Sequence, residues 1–317
     1  MRAYSNKSLL RRQKGVAIIT ALLLTTLAIT LVANLFWQQQ VQVRSIENQR
    51  LQLQKQWIIR GALDLVRLIV REDALVSSQD HLGEPWATPL AATPINQYLD
   101  GDEGGIFLTG KIVDAQSRFN LTSLSTAQII DRQEVATFAR LLSILKINPE
   151  LAQACATAIA ASQMPRSVLD TGSVGQVART MPLLHENDLL AVPGFSAATL
   201  RQLKDYIVIL PRATPVNINT ASATVIAASI ENLPLADAST LVALRERRYF
   251  RSHTDLVQAL PMREGGDVYS LRNAALGFSS NFFLVFGEVN IGNAMLGMQS
   301  LIERTDLGTR VISVQEE

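Results

Sequence analysis

Cysteine is almost missing from this chain of 317 residues. Cys155 stands alone, so no intrachain disulfide can form, and stability has to come from core burial or from partner subunits. Histidine is nearly as scarce: His81, His185 and His253 are widely spaced and have no cysteine beside them, which excludes the close ligand spacings of a transition-metal site. An excess of charge of one sign is also missing, with 29 basic residues against 28 acidic ones and a net charge of +1. That balance gives no reason to expect nucleic acid or an acidic surface as a general partner. No G-x-S-x-G, H-E-x-x-H, P-loop or paired-carboxylate motif occurs, so the chain is not read as an enzyme. Cys155 lies between Ala154 and Ala156 in an alanine-rich stretch and reads as a small buried apolar residue rather than a nucleophile.

Local absences say more. Residues 1–15 hold Arg2, Lys7, Arg11, Arg12 and Lys14 but no acidic residue, and residues 16–36 (VAIITALLLTTLAITLVANLF) hold no charge, no proline and no glycine. About 20 apolar residues at ~1.5 Å rise span the ~30 Å hydrocarbon core, so this run is just long enough to cross a membrane. The basic leader would stay cytoplasmic and the remainder would lie outside. An ordinary secretory signal carries its small-residue cleavage site after the apolar run. Here the small residue, Gly15, comes before it, and a cut between Gly15 and Val16 would keep the apolar helix as the mature N-terminus. The arrangement resembles that of a type IV prepilin. An uncleaved signal anchor is the alternative on these residues, with the same topology.

From residue 37 to 60 glycine and proline are again missing, and good helix formers dominate. Val43, Ile46, Leu53, Trp57, Ile58, Leu65 and Ile69 continue a helical stripe, so one helix is expected over residues 16–76 despite Gly61. Residues 77–105, rich in proline and glycine, read as a loop with Trp86 as a core plug. Residues 106–121 suggest a strand pair turning near Gly110 or at Ala115-Gln116. Helices are expected over 131–145, 149–162, 187–192, 196–209, 222–231, 236–247 and 253–260, and strands over 282–289, 298–304 and 310–314. A strand system split around a helical block predicts an α+β fold: a long N-terminal transmembrane and amphipathic helix, an antiparallel sheet, and a large all-α insertion. The boundaries read as a leader at 1–15, a membrane helix at 16–36, an external helix with the first strands at 37–124, the helical insertion at 125–276 and closing strands at 277–317.

Within the insertion, the turn Val192-Pro193-Gly194 and the turn Asn232-Leu233-Pro234 each join short helices, with Ser196 and Ser222 as N-caps. This resembles the helix-hairpin-helix (SAM-like) family, and Val216-Asn217-Ile218-Asn219-Thr220-Ala221-Ser222 is similar to competence-type DNA receptor modules. A DNA-binding pilin or receptor is therefore the alternative function. DNA binding needs open turn amides with basic residues beside them. Neither turn has such a residue; Arg245, Arg247, Arg248 and Arg251 cluster past the second one, where a solvated helix face accounts for them.

The leader ending in Lys14-Gly15, the run 15–24, the Glu84-Pro85-Trp86-Ala87 loop, the stretch 113–121 and the insertion with its Asn217–Ala221 motif together resemble the K-type minor pseudopilins of the type II (general) secretion pathway. The resemblance covers nearly the whole chain. It implies a pilin-like sheet, an inner-membrane anchor with a periplasmic bulk, cleavage by prepilin peptidase, and a place at the pseudopilus tip with the I-type and J-type minor pseudopilins. Other pseudopilins, the secretin and exoproteins are further implied contacts, and nucleic acid is not. Pilin-class subunits usually carry glutamate where this chain has Thr20, and the K-type family lacks it. The family is also associated with calcium through an early acidic stretch of the insertion. Here residues 158–165 contain no carboxylate, Asp100, Asp102 and Glu103 read as a solvated loop, and no metal or other cofactor is expected. Trp57, Ile58 and Leu65 are the candidate partner interface.

Overall fold

The computed structural model describes residues 10–95, 106–163, 182–261, 269, 271, 274–291 and 294–316. The chain forms two compact units, Met1–Ile58 and Ile59–Glu317. A single helix, α1, runs Leu10–Val76, starting before the expected residue 16, so that residues 10–15 are helical as well. Arg11, Arg12, Gln13 and Lys14 are good helix formers and nothing there breaks the run. Gly61 does not break it either; no atom lies within 4 Å of the position its Cβ would take, so the glycine sits on an open face.

The second unit is built on a five-stranded antiparallel sheet. Its strands, in their order across the sheet, are β1 (Leu90–Pro94), β2 (Ile106–Asp114), β9 (Phe282–Ile291), β10 (Ala294–Thr305) and β11 (Gly308–Glu316). Of the two turn positions expected within 106–121, the structure has the one at Ala115-Gln116: β2 leads into a 3-10 turn at Ala115–Ser117 and then β3 (Phe119–Asn120), though β3 does not pair with β2. A Cβ at Gly110 would stand 3.0 Å from the Phe286 carbonyl oxygen, so this glycine marks close approach of two backbones within a sheet rather than a turn. The expected loop 77–105 contains β1, an edge strand on which Pro94 is tolerated, while Asp100, Asp102 and Glu103 lie outside the described residues.

Between β2 and β9 the chain leaves the sheet. After β3 come β4 (Ser125–Thr126), β5 (Ile129–Ile130), α2 (Arg132–Ile144), α3 (Leu151–Ser162), α4 (Ala197–Leu203), β6 (Ile207–Val208), β7 (Val216–Asn217), α5 (Ala223–Ser229), α6 (Leu235–Arg247), α7 (His253–Ala259) and β8 (Leu276–Gly277). The helix expected over 196–209 stops at Leu203, because β-branched, buried Ile207 and Val208 pair in parallel with β3. Residues 187–192 form a 3-10 turn, Glu186–Ala191. Asp131, Ser196, Ser222 and Ser252 cap α2, α4, α5 and α7 through their side chains.

Each hairpin repeat has its own core. The first gathers Leu189, Val192, Phe195, Leu200 and Leu203 with Phe138, Leu141 and Cys155; the second gathers Ile218, Val225, Ile226, Leu241 and Leu256. In β9 the side chains alternate as a strand requires. Phe282 and Leu284 meet Val208 and Leu210 from the helical block, whereas Phe283 and Val285 face the helix face that carries Ile59, Leu63 and Val70. The sheet is thus covered on both sides.

Candidate functional site

The first unit has one clear property. Among its described residues, α1 carries an apolar stretch, Gly15–Ile46, long and apolar enough to cross a membrane, and none of it is buried. Gly15 and Val16 lie within the helix, and Val16 is exposed. Thr20 is exposed too, yet its hydroxyl is not left without a partner: Oγ1 donates to the carbonyls of Val16 and Ala17 at 3.1 and 3.0 Å. Thr25, Thr26 and Thr30 do the same further along the helix. Back-bonded threonines carry no hydroxyl that water must satisfy, which suits a lipid surround. Trp57 is two-thirds exposed and Ile58 is half-buried, both at the end of this unit.

Leu65 belongs to the second unit. There it borders an apolar groove of about 290 Å³ whose walls include Ile69, Pro85, Trp86, Leu108 and Phe286. Trp86 is buried, with its ring edge-on to Phe283 at 5.3 Å, and its Nε1 donates to Glu84 Oε2 at 2.7 Å. The Glu84-Pro85-Trp86-Ala87 motif is thereby a wedge between α1 and the sheet.

Beside that wedge lies a cluster the sequence does not advertise. Asp73 at the end of α1, Asp80 and Glu84 place carboxylate oxygens within 4.8 Å of one another. Arg304 of β10 supplies the positive charge: its Nη2 donates to both Asp80 oxygens at 2.6 and 2.5 Å and to the Ser280 carbonyl, and its Nη1 donates to Asp73 at 3.3 Å. Burial raises the Asp80 pKa despite Arg304, and burial together with the charges of Glu84 and Asp80 raises Asp73 to about 6. No short-range spacing could have revealed the cluster, since Arg304 is 224 residues from Asp80.

The Asn217–Ala221 motif is the keystone of the same region. Asn217, fully buried, donates from Nδ2 to the Asp80 carbonyl, to Asp114 Oδ2 and to Ser280 Oγ. Thr220 and Ser280 donate to the same Asp114 oxygen at 2.5 and 2.7 Å, and the Gln116 amide donates to the other. Burial, partly offset by these bonds, lifts Asp114 to about 6. Asn219 closes a reciprocal pair with the Phe250 backbone. One short motif therefore ties α1's trailing loop, β2, the helical block and the entry to β9 together.

These bonds bear on the DNA alternative. The Asn217–Ala221 motif is buried and internally satisfied. The first hairpin turn has Gly194 at φ +93°, and a Cβ there would stand 2.6 Å from Leu151 Cδ2, which is why glycine is needed, while Pro193, Gly194 and Ser196 are themselves exposed. In the second turn Leu233 is buried. Neither turn carries a lysine or arginine, so neither sets the positive charge of a phosphate site beside its amides. Cys155 is fully buried and desolvation pushes its thiol up to about 12, which makes it chemically inert.

The same geometry bears on calcium. Residues 158–163 carry no carboxylate, and 164–165 lie outside the described residues. In the Asp73–Asp80–Glu84 cluster the counter-charge is already a guanidinium. The melting temperature should therefore move by no more than about a degree between millimolar calcium and chelator, measured by thermal unfolding. An ion held at a hundred times its Kd would add about 2.7 kcal/mol and a shift of many degrees.

Two family models described as "Type II secretion system (T2SS), protein K" match residues 117–212 and 216–278. Type II secretion system protein K of Pseudomonas aeruginosa is 30% identical over 314 residues, covering 93% of this chain and 90% of the relative. The protein K of Klebsiella pneumoniae is 27% identical over 315 residues, with 92% and 93% covered, and that of Aeromonas hydrophila is 26% identical over 277 residues, with 79% and 81% covered. Among solved structures, a chain from the crystal structure of the GspK-GspI-GspJ complex of the enterotoxigenic Escherichia coli type 2 secretion system superposes with a TM-score of 0.61 at 24% identity. It covers 86% of this chain and 99% of that one, a likeness of fold.

Proposed function

Because the chain belongs to the type II secretion system protein K family, a family of minor pseudopilins, we propose that it occupies the tip of the pseudopilus, where it initiates or caps assembly. The observation that carries this reading is Thr20. Within an uncharged run of 21 residues, a threonine with a self-satisfied hydroxyl stands where pilin-class subunits hold a carboxylate. A bilayer carboxylate is costly unless it meets a partner such as a neighbour's N-terminal ammonium. A subunit with nothing ahead of it has no such ammonium to meet, so losing the carboxylate costs it nothing.

The proposed lateral partners are the I-type and J-type minor pseudopilins, supported by the fold shared with a chain solved in complex with GspI and GspJ. Other pseudopilins lie below it in the fibre, and the secretin and exoproteins are further contacts. The proposed anchor is a single pass through the inner membrane, basic end in the cytoplasm and bulk in the periplasm. No catalytic or cofactor role is proposed.

Two experiments test this. The mature chain should begin at Val16 and keep its apolar helix; mass spectrometry finding an intact Met1 start or a cut after residue 36 would remove the pilin reading. Replacing Gly15 with a bulky residue should block processing. The second experiment is co-purification with the two candidate partners. Trp57→Ala should weaken that complex by about 2 kcal/mol while leaving the melting temperature of the chain unchanged, because Trp57 is an exposed aromatic and not a core residue. A chain that stays monomeric beside both partners overturns the assignment.

A further inference from the structure

The arginines past the second hairpin turn have a structure of their own. Where α6 ends, Arg245, Arg247 and Arg248 line a pocket of about 440 Å³ together with Glu246, Tyr249 and, from the loop after α1, His81. His81 and Tyr249 stack at 4.1 Å between centroids, and Arg251 lies over the tyrosine ring at 5.4 Å, so the aromatic pair forms a flat wall with positive charge behind it.

Arg245 differs from its neighbours. It is 9% exposed, and its Nη1 donates to the carbonyls of Ile218 and Ala221 at 2.6 and 2.5 Å, which ties α6 to the Asn217–Ala221 motif. Its Nε is buried and has no hydrogen-bond partner among the described residues. A buried donor left unpaired costs about 1–3 kcal/mol, more when it belongs to a charged group. Burial, set against the attraction of Glu246, lowers this guanidinium's pKa to about 10, as expected of a charge short of a counter-ion. Arg247 and Arg248 have a simpler reason to be there, since cations are favoured at a helix C-terminus. That reason does not apply to a donor buried beneath them.

We propose that this pocket is a carboxylate receptor that takes an acidic side chain from a partner protein, with the Arg245 guanidinium as the deep cation and Arg247 and Arg248 as the rim. Arg245 lines the pocket and its hydrogen bonds go to backbone carbonyls, so among the described residues its planar charge is hydrogen-bonded to no carboxylate. The stacked His81–Tyr249 wall suits the aliphatic stem of an aspartate or glutamate. A nucleic-acid backbone is a poorer fit: it presents phosphates in a line, whereas these cations surround one depression and the adjoining hairpin turns carry no lysine or arginine. The inference rests on the geometry of this pocket alone and stands whether or not the chain occupies a fibre tip.

Isothermal titration calorimetry on the full chain in detergent micelles tests it, with hexaglutamate, hexaglutamine, inorganic phosphate and a short DNA duplex as probes. Hexaglutamate should bind with a sub-millimolar Kd that weakens with added salt, and hexaglutamine should not bind. Arg245→Lys keeps a cation for the two carbonyls but removes the planar guanidinium, and should weaken binding about tenfold, equivalent to about 1.4 kcal/mol. The paired rim change Arg247→Gln with Arg248→Gln, at two exposed positions, should weaken it severalfold and serves as the test if Arg245→Lys does not fold. The proposal is overturned if hexaglutamate does not bind at millimolar concentration, or if neither change affects it. It is overturned equally if phosphate or DNA binds more tightly than hexaglutamate with the same dependence on these arginines.

Discussion

Arg304→Met is expected to destabilise the second unit by about 3–5 kcal/mol, the usual cost of removing one partner from a buried ion pair and leaving the other charged. Methionine can still cover Phe283, over whose ring the Arg304 guanidinium lies at 4.8 Å, so packing is largely kept and charge is what changes. Asp80 would lose a bidentate donor and Asp73 its cation, beside a third carboxylate on Glu84. The sign with pH comes from the raised carboxylates. Burial already holds Asp73 near 6 and Asp80 above its ordinary value, and Arg304 is the group that lowers both. Without it both rise further. A carboxylate whose folded pKa is raised binds its proton more tightly when folded, so its contribution to stability is present at low pH and lost as pH rises through the folded value. The deficit of the variant should therefore be largest above pH 6 and shrink towards pH 5, read by denaturant unfolding at several pH values. Adding Asp80→Asn should recover part of the loss at pH 7.5. A single variant within 1 kcal/mol of the parent, or a deficit that does not change with pH, would mean that Arg304 is not the counter-charge of this cluster.

The second large effect belongs to the membrane helix. Thr20→Glu replaces a back-bonded hydroxyl with a carboxylate in the apolar run, at a cost of about 2.5–3.5 kcal/mol near a bilayer centre. In a subunit with an ammonium to meet, that cost is recovered; at a tip it is not. Secretion and pseudopilus initiation should fall by an order of magnitude or more, while the variant still reaches the membrane fraction and the fold of the second unit is unchanged. Normal secretion by Thr20→Glu would remove the support for the tip.

Some features of this protein are legible in its sequence and others are not, for identifiable reasons. Helix α1, the capped helices α2, α5 and α7 and the closing strands can be read because each rests on short-range information: a period of 3.6 or 2, a serine or aspartate at an N-cap, a charge-free run. The misreadings at Gly110 and over 196–209 share one cause. Glycine at 110 and β-branched Ile207 and Val208 serve contacts with strands far along the chain, and local propensity cannot see those neighbours. The edge strand β1 hid among prolines and glycines, since an edge needs few ladder bonds and tolerates Pro94.

The candidate sites divide the same way. Gly15, Val16 and Thr20 are defined by the basic leader on one side and the apolar run on the other, and a linear code is enough to single them out. The Asn217–Ala221 motif was visible as a pattern, but its job was not. Its asparagine meets Asp80, Asp114 and Ser280, which come from three separate stretches of chain. The acidic cluster around Arg304 and the unpaired Nε of Arg245 left no trace in spacing at all.

The amino-acid sequence by itself determined the long apolar helix, most of the other helices, the three closing strands and the family resemblance, because these depend on periodicity and on neighbours a few residues away. Only the tertiary structure decided which charges are buried together, which arginine neutralises them and which is left with a free donor. Burial converts a surface charge into an obligation to find a partner, and that partner can come from anywhere in the chain.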